Sequence, residues 1–253
     1  MKYVYGPLKS RRLGLSLGIT LTPPKICNLN CIYCQLGKTV KLLNERKAYV
    51  PIEDIFTELK WWLENNPEER KRLGYITFSG SGEPTLNSKI GELIEKIKNI
   101  TDLPIAIITN SSLLGDPSVR RDICLADLII PSLDAATPEV FAKIGRPHPD
   151  VKIEEIINGL VSLRKEFPGK IWLEVMLVQG INDDLRHIKK LKAVIDEIKP
   201  DKIQLNSPVR SSQKAVVWPP IAKATTAEPN ILPVSKEKLG KIKEIFGEKC
   251  EII

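Results

Sequence analysis

The sequence predicts an α/β fold with parallel strands, and two observations carry that prediction. Short β-rich runs alternate with longer stretches of helical periodicity, the pattern of repeated βα units. The 253 residues, 42% of them hydrophobic, suffice for one sizeable core, and α/β barrels often run this long as one domain.

The elements follow in order. Residues 15–21 read as a first strand, and a cysteine-bearing loop follows at once. Residues 51–65 place Ile52, Ile55, Phe56, Leu59 and Trp62 at spacings of three and four, the apolar face of a helix. Residues 75–79 form a second strand and 89–100 a second helix. The β-rich run 105–109 is a third strand and 128–131 a fourth. Helices over 138–144 and 154–167 are separated by Arg146-Pro147-His148-Pro149, which helical backbone does not tolerate. Residues 171–178 give a fifth strand; Asp183 or Asp184 caps a helix running to Ile198; residues 202–205 give a sixth strand. Residues 207–234 hold five prolines and no clear period, as in a lid or a coil over the barrel mouth. A closing helix over 235–246 turns Leu239, Ile242, Ile245 and Phe246 inward. The expected organisation is a barrel domain over 1–206, including a basic N-terminal segment, and an extension over 207–253 packed on or over the barrel mouth.

Five cysteines, no leader-like start and no apolar run of about 18 residues predict a reducing, cytoplasmic setting with no membrane contact. The formal charge of +7 is uneven. Residues 1–47 hold nine Lys/Arg, among them Arg11 and Arg12, against the single acid Glu45. Clustered in space, that segment would draw a polyanion such as RNA, or an acidic redox donor; the alternative is solvated surface lysines.

Cys27, Cys31 and Cys34 stand at C-x3-C-x2-C spacing in the loop after the first strand. Thiolates at that density suit an iron–sulfur cluster, and three of them leave one of four irons open to a small molecule. A structural zinc site normally has four ligands in spaced pairs, and neither Cys124, Cys250, His148 nor His187 is spaced as a partner. A disulfide framework would call for an extracellular setting and usually an even count. Both histidines are expected at the surface, and Cys124 on an apolar face.

With aromatic Tyr33 before the last cysteine, this loop closely resembles that of the radical SAM superfamily. The stretches Ser10-Arg11-Arg12-Leu13-Gly14 and Cys34-Gln35-Leu36-Gly37 are similar to a compact group often filed beside the wyosine-forming tRNA enzymes, although this loop differs from that of the tRNA enzyme itself. The resemblance spans roughly residues 10–206. It implies a partial (β/α)6 barrel of the radical SAM type, here with an irregular C-terminal extension, with chemistry on the loops at the strands' C-terminal ends. It implies a 4Fe-4S cluster held by Cys27, Cys31 and Cys34, with S-adenosylmethionine (SAM) chelating the open iron, and a reductant such as ferredoxin or flavodoxin.

The strand ends agree with it. Ser81-Gly82-Glu83-Pro84 ends the second strand and resembles the GGEP motif that holds the SAM amino group, with Ser81 where a glycine is usual. Glycine lets backbone approach a ligand, and a carboxylate pairs with an ammonium. Thr109-Asn110-Ser111 is similar to the family's Thr-Asn-Gly, which implies that Asn110 contacts SAM or shapes its pocket; a helix N-cap is the alternative. Ser132 and Asp134 resemble the S-x-D that lines the SAM ribose and carboxylate, though Asp134 also precedes a helix start. Tyr33 is expected near adenine and Asn206 near adenine or ribose. Glu174, a carboxylate inside an apolar strand, either faces the lumen as a substrate ligand or meets a lysine. Arg210 and Trp218 would hold an anionic, planar substrate, or anchor a coil.

The resemblance implies SAM cleavage to a 5′-deoxyadenosyl radical and hydrogen abstraction, with RNA (tRNA) base modification as the leading expectation. A glycyl-radical activating enzyme, a small-molecule enzyme and a non-radical iron–sulfur electron carrier are the alternatives.

Overall fold

The computed structural model describes residues 1–39, 41–208 and 231–253. Among these residues, eight strands form one open, curled sheet in sequential order. A hairpin starts it: β1 (Val4–Ser10) runs antiparallel to β2 (Gly14–Thr20). From β2 onward every pairing is parallel, through β3 (Tyr75–Ser79), β4 (Ile105–Thr109), β5 (Leu128–Pro131), β6 (Lys170–Met176), β7 (Lys202–Asn206) and β8 (Cys250–Ile252). The strands from β2 to β7 correspond to the six expected from sequence. The flanking strands β1 and β8 were not expected. β1 carries Gly6-Pro7 and a register break between Tyr5 and Leu8, which hides its strand character. β8 is only three residues long.

Helices cover the outer face because parallel strands need crossovers, and right-handed crossovers put them all on one side. They are α1 (Ile52–Asn65), α2 (Pro67–Arg72), α3 (Ile90–Lys98), α4 (Pro117–Ile123), α5 (Pro138–Ile144), α6 (Ile153–Glu166), α7 (Leu185–Ile198) and α8 (Lys236–Phe246). The main core lies between helices and sheet, where Phe78, Ile107 and Ile129 meet Leu59, Ile94 and Leu160. Strand side chains alternate faces, so the residues between those point into the barrel. A second apolar cluster lies there: Leu13, from the β1–β2 turn, packs with Ala106, Leu128 and Ile130. Burial on both faces explains why the strands read as nearly continuous apolar runs.

The hairpin turn also sends Arg12 into the interior. Its guanidinium meets Glu174 of β6 at 3.0 Å, and the Asn206 side-chain amide donates to the same carboxylate oxygen at 3.3 Å. Three strands lie between β2 and β6, so only a curled sheet permits this contact. Glu174 therefore meets a cation, as one of the two expectations had it, but the partner is an arginine and not the expected lysine. The partner comes from the segment whose charge had suggested an RNA surface.

That segment does not form one patch. Arg46 pairs with Asp122, Lys47 with Glu45, and Lys25 points at the cysteine loop. Lys9 and Arg11 are exposed at the N-terminal end of β2, whereas Lys38 and Lys41 are exposed beyond its C-terminal end. Seven residues of strand separate the two ends, roughly 20 Å at about 3.3 Å per residue.

Candidate active site

The cysteine loop leaves the C-terminal end of β2 and returns only at α1, with no regular element between them among the described residues. Hydrogen bonds to the barrel hold it. On one side it meets the loop after β3: the Lys25 N–H donates to the Ser81 carbonyl at 2.6 Å and the Glu83 N–H to the Ile26 carbonyl at 3.0 Å. On the other side Asn30 N–H donates to Gly145 O at 2.9 Å, Ile32 N–H to Ile144 O at 3.0 Å, and His148 N–H to Asn28 O at 2.8 Å. The proline-flanked segment that breaks the helical pattern thus braces the loop. Leu29 and Ile32, between the cysteines, are buried in the main core.

Gly82 explains itself by contact. A Cβ there would lie 2.0 Å from the Ile26 carbonyl oxygen and 2.7 Å from Thr22 Oγ1. Only a residue without a side chain lets the two loops touch. The neighbouring Ser81 is buried, and its Oγ has no partner among the described residues.

The three thiols are half-buried and unbridged. Burial pushes the Cys27 thiol up to about 12, with the Glu83 charge adding to it, and burial raises Cys31 as well, with Cys27 adding. Both are therefore protonated near neutrality, and a metal must displace those protons to bind. Donors already face the sulfurs. The Leu29 N–H lies 3.4 Å from Cys27 Sγ, the Asn110 amide nitrogen 3.5 Å from the same sulfur, and Lys25 Nζ 3.6 Å from Cys34 Sγ. No trio of Cys, His, Asp or Glu among the described residues converges on a single ion. Soft thiol donors are the ligand type that an iron–sulfur cluster takes.

Asn28, fully buried between Cys27 and Leu29, organises the approach of Asn110. Its Oδ1 accepts from Asn110 Nδ2 at 3.0 Å and from Ser112 Oγ at 2.8 Å, and its Nδ2 donates to Asn44 Oδ1 at 2.9 Å. Its place inside the cysteine spacing gave no separate signal in the sequence. Glu83 is buried and accepts four hydrogen bonds. Its Oε1 accepts from Thr85 N–H (3.0 Å), Thr85 Oγ1 (2.6 Å) and Thr109 Oγ1 (2.7 Å), and its Oε2 accepts from Asn110 N–H (2.7 Å). Burial raises its pKa while those bonds oppose the rise. Glu83 thereby ties the ends of β3 and β4 together.

A pocket opens beside the cysteines, lined by Cys31, Tyr33, Asn110, Ser132 and Asp134, with Phe141, Ile144 and Ile156 as an apolar wall. The Tyr33 hydroxyl donates to Asp134, whose other oxygen accepts from the Met176 N–H at 2.8 Å. Enclosure pushes the Asp134 carboxyl up to about 7; the Tyr33 and Met176 bonds lower it and the Glu174 charge raises it.

The structure thus gathers Cys27, Cys31, Cys34, Tyr33, Ser81, Gly82, Glu83, Asn110, Ser132 and Asp134 at one rim. Asn206 is turned instead toward Glu174 in the interior, its Oδ1 taken by the Ser207 N–H at 2.9 Å. Arg210 and Trp218 lie outside the described residues. His187, expected at the surface, is buried: α7 packs its first turn inward, and burial lowers its pKa. Cys124 is half-buried at the end of α4, and Cys250 is buried on β8.

Comparison with known proteins shows the family and the fold. The radical SAM superfamily profile matches residues 21–191. A protein of Brachyspira hyodysenteriae named GTPase Obg is 40% identical over 253 residues; the match covers 99% of this chain and 34% of that protein, so the chain spans about a third of its length. A UPF0026 protein of Methanocaldococcus jannaschii is 35% identical over 243 residues, covering 96% of this chain and 74% of the relative. A probable dual-specificity RNA methyltransferase RlmN of Thermotoga petrophila is 25% identical over 189 residues, covering 68% of this chain and 50% of that protein. Among solved structures, a radical SAM methyltransferase from Sphaerobacter thermophilus superposes with a TM-score of 0.65 at 16% identity, covering 94% of this chain and 65% of that one. A TYW1 with a lysine-pyruvate adduct bound superposes at 0.60 and 20% identity, covering 93% and 74%. Both are likenesses of fold.

Two outcomes follow from the geometry. Gly82→Ala should force the two loops apart, costing about 1–3 kcal/mol in denaturant unfolding and lowering iron uptake on reconstitution. Asp134 binds a proton in the folded chain between its ordinary value of 3.8 and about 7, where the unfolded chain has released it. Its contribution to stability therefore falls as pH rises through that window and is flat above it. Thermal unfolding before reconstitution should show that fall in the parent protein and a shallower one in Asp134→Asn.

Proposed function

The chain belongs to the radical SAM superfamily, among the UPF0026 proteins, and on that premise we propose that it is an enzyme that reductively cleaves SAM and modifies a base in RNA. Its cofactors are a 4Fe-4S cluster and SAM. The residues present fit them: three thiols in one braced loop, N–H donors aimed at sulfur, and an adjoining pocket with one apolar wall. When bound, this pair supplies one-electron cleavage of the SAM C5′–S bond and a 5′-deoxyadenosyl radical that takes a hydrogen atom from the substrate.

The chain's own residues divide the remaining work. Cys27, Cys31 and Cys34 would hold the cluster, three thiolates for four irons. Ser81, Gly82 and Glu83 shape the loop that receives the methionine end. Ser132, Asp134 and Tyr33 line the nucleoside pocket, and Phe141, Ile144 and Ile156 offer a planar base a dry face. A ferredoxin or flavodoxin supplies the electron.

The observation that carries this reading is the junction of three strand ends. Ile26 touches Gly82, Glu83 binds the Asn110 N–H, and Asn110 faces Cys27. An electron carrier has no use for such a junction, whereas a site that must hold cluster and SAM together does. RNA as substrate is supported by the similarity to RlmN and by exposed Lys38 and Lys41, a few residues beyond Cys34.

Anaerobic reconstitution, reduction and mass spectrometry should detect 5′-deoxyadenosine from the parent protein and none from Cys31→Ala. Cleavage by that variant would refute the thiol assignment. Binding to bulk tRNA and rRNA should weaken with salt and fall about tenfold or more in Lys38→Glu/Lys41→Glu, because each lost phosphate contact reduces the counterion release that drives binding. Unchanged binding would direct the search to a protein or small-molecule substrate.

A further inference from the structure

We propose that Lys25 sets the reduction potential of the cluster, its ammonium favouring the reduced state through Cys34. The inference rests on the reading that Cys27, Cys31 and Cys34 are the ligands.

Lys25 stands two residues before the first cysteine, with its backbone at φ +64°, a region costly for a residue bearing a Cβ. Its N–H is fixed on the Ser81 carbonyl at 2.6 Å. That conformation turns the side chain under the cysteine loop, where Nζ lies 3.6 Å from Cys34 Sγ and donates to the Gly37 carbonyl. Gly37 is itself held by its N–H on the Cys34 carbonyl at 3.0 Å. The ammonium is thus placed beside one sulfur by two backbone bonds and one of its own.

Its choice of partners is informative. Lys25 is half-buried, yet no carboxylate among the described residues pairs with it. A half-buried ammonium facing only a sulfur and a carbonyl, with no carboxylate among the described residues, is poorly compensated. Facing a thiolate on an iron–sulfur cluster, it is paired. The free protein therefore carries a positive charge where the loaded protein is negative.

The direction of its effect follows from charge. One-electron reduction adds a negative charge, and a nearby cation stabilises that state more than the oxidised one. Exposed Lys38 and Lys41 act through water and salt and contribute far less. The N–H donors on Cys27 act in the same direction as Lys25, so both ends of the motif carry a device of the same sign.

The test compares the full chain with Lys25→Met, Lys25→Gln and Lys25→Arg, each reconstituted, assayed for iron and sulfide, and titrated against potential by electron paramagnetic resonance. The two neutral variants should load iron like the parent, yet show about a tenfold lower reduced-to-oxidised ratio at a fixed poise, a midpoint about 59 mV more negative for one electron. Lys25→Arg should stay near the parent. Full loading with an unchanged midpoint in both neutral variants would overturn the proposal. So would failure of both to load, which would make Lys25 a strap for the loop. Full loading in Cys34→Ala would instead refute the underlying ligand reading, so the two failures are distinguishable.

Discussion

A backbone contact between two loops constrains this site more than any side chain does. Parallel pairing from β2 onward brings the C-terminal ends of the strands to a single rim. The loops that leave β2 and β3 must then cross within van der Waals distance. Gly82 against the Ile26 carbonyl is that crossing, with no room for even one methyl group. Lys25 to Ser81 and Glu83 to Ile26 close it with hydrogen bonds on either side. Everything the cysteines need depends on it: a loop without regular structure is held rigid because its neighbours hold it. The entropy of ordering such a loop is thus met largely by the fold, before any cofactor binds.

The same economy governs charge. Glu83, which resembles a SAM ligand in the sequence, receives four bonds from protein donors that fasten β3 to β4. Glu174 is held by Arg12 and Asn206 inside the barrel, where an unpaired carboxylate would be costly. Positive charge from the first 47 residues is thereby dispersed: inside the barrel, under the cysteine loop, at the two ends of β2, and in the pairs of Arg46 with Asp122 and Lys47 with Glu45. Net charge described the composition well and the surface poorly.

How much was legible follows the physics of each signal. Strands such as Tyr75–Ser79 and Ile105–Thr109 were visible because burial on both faces forces apolar β-branched runs. The cysteine spacing and the residues ending β2 to β5 were visible because chemistry fixes residue type at those points. β1 and β8 were not, one interrupted by Gly6-Pro7 and the other too short to show a period. Asn28 and the brace at residues 145–148 were hidden because they act through tertiary hydrogen bonds, which leave no local pattern. Asn206 sat at a strand end like the others, yet rotation of its side chain toward Glu174 takes it out of the pocket, and sequence carries no information on that angle. His187 was misplaced because an imidazole in a first helical turn is equally compatible with either face.

The central claim is that the braced loop holds a cluster on three thiolates with one iron open beside the pocket. Electron paramagnetic resonance of the reduced, reconstituted protein, recorded without and with SAM, tests it most directly. The account predicts a 4Fe-4S signal that changes shape and g-values when SAM is added, because SAM then coordinates the open iron. A cluster signal that SAM leaves untouched would contradict it, since the cluster would then be fully ligated by protein or turned away from the pocket.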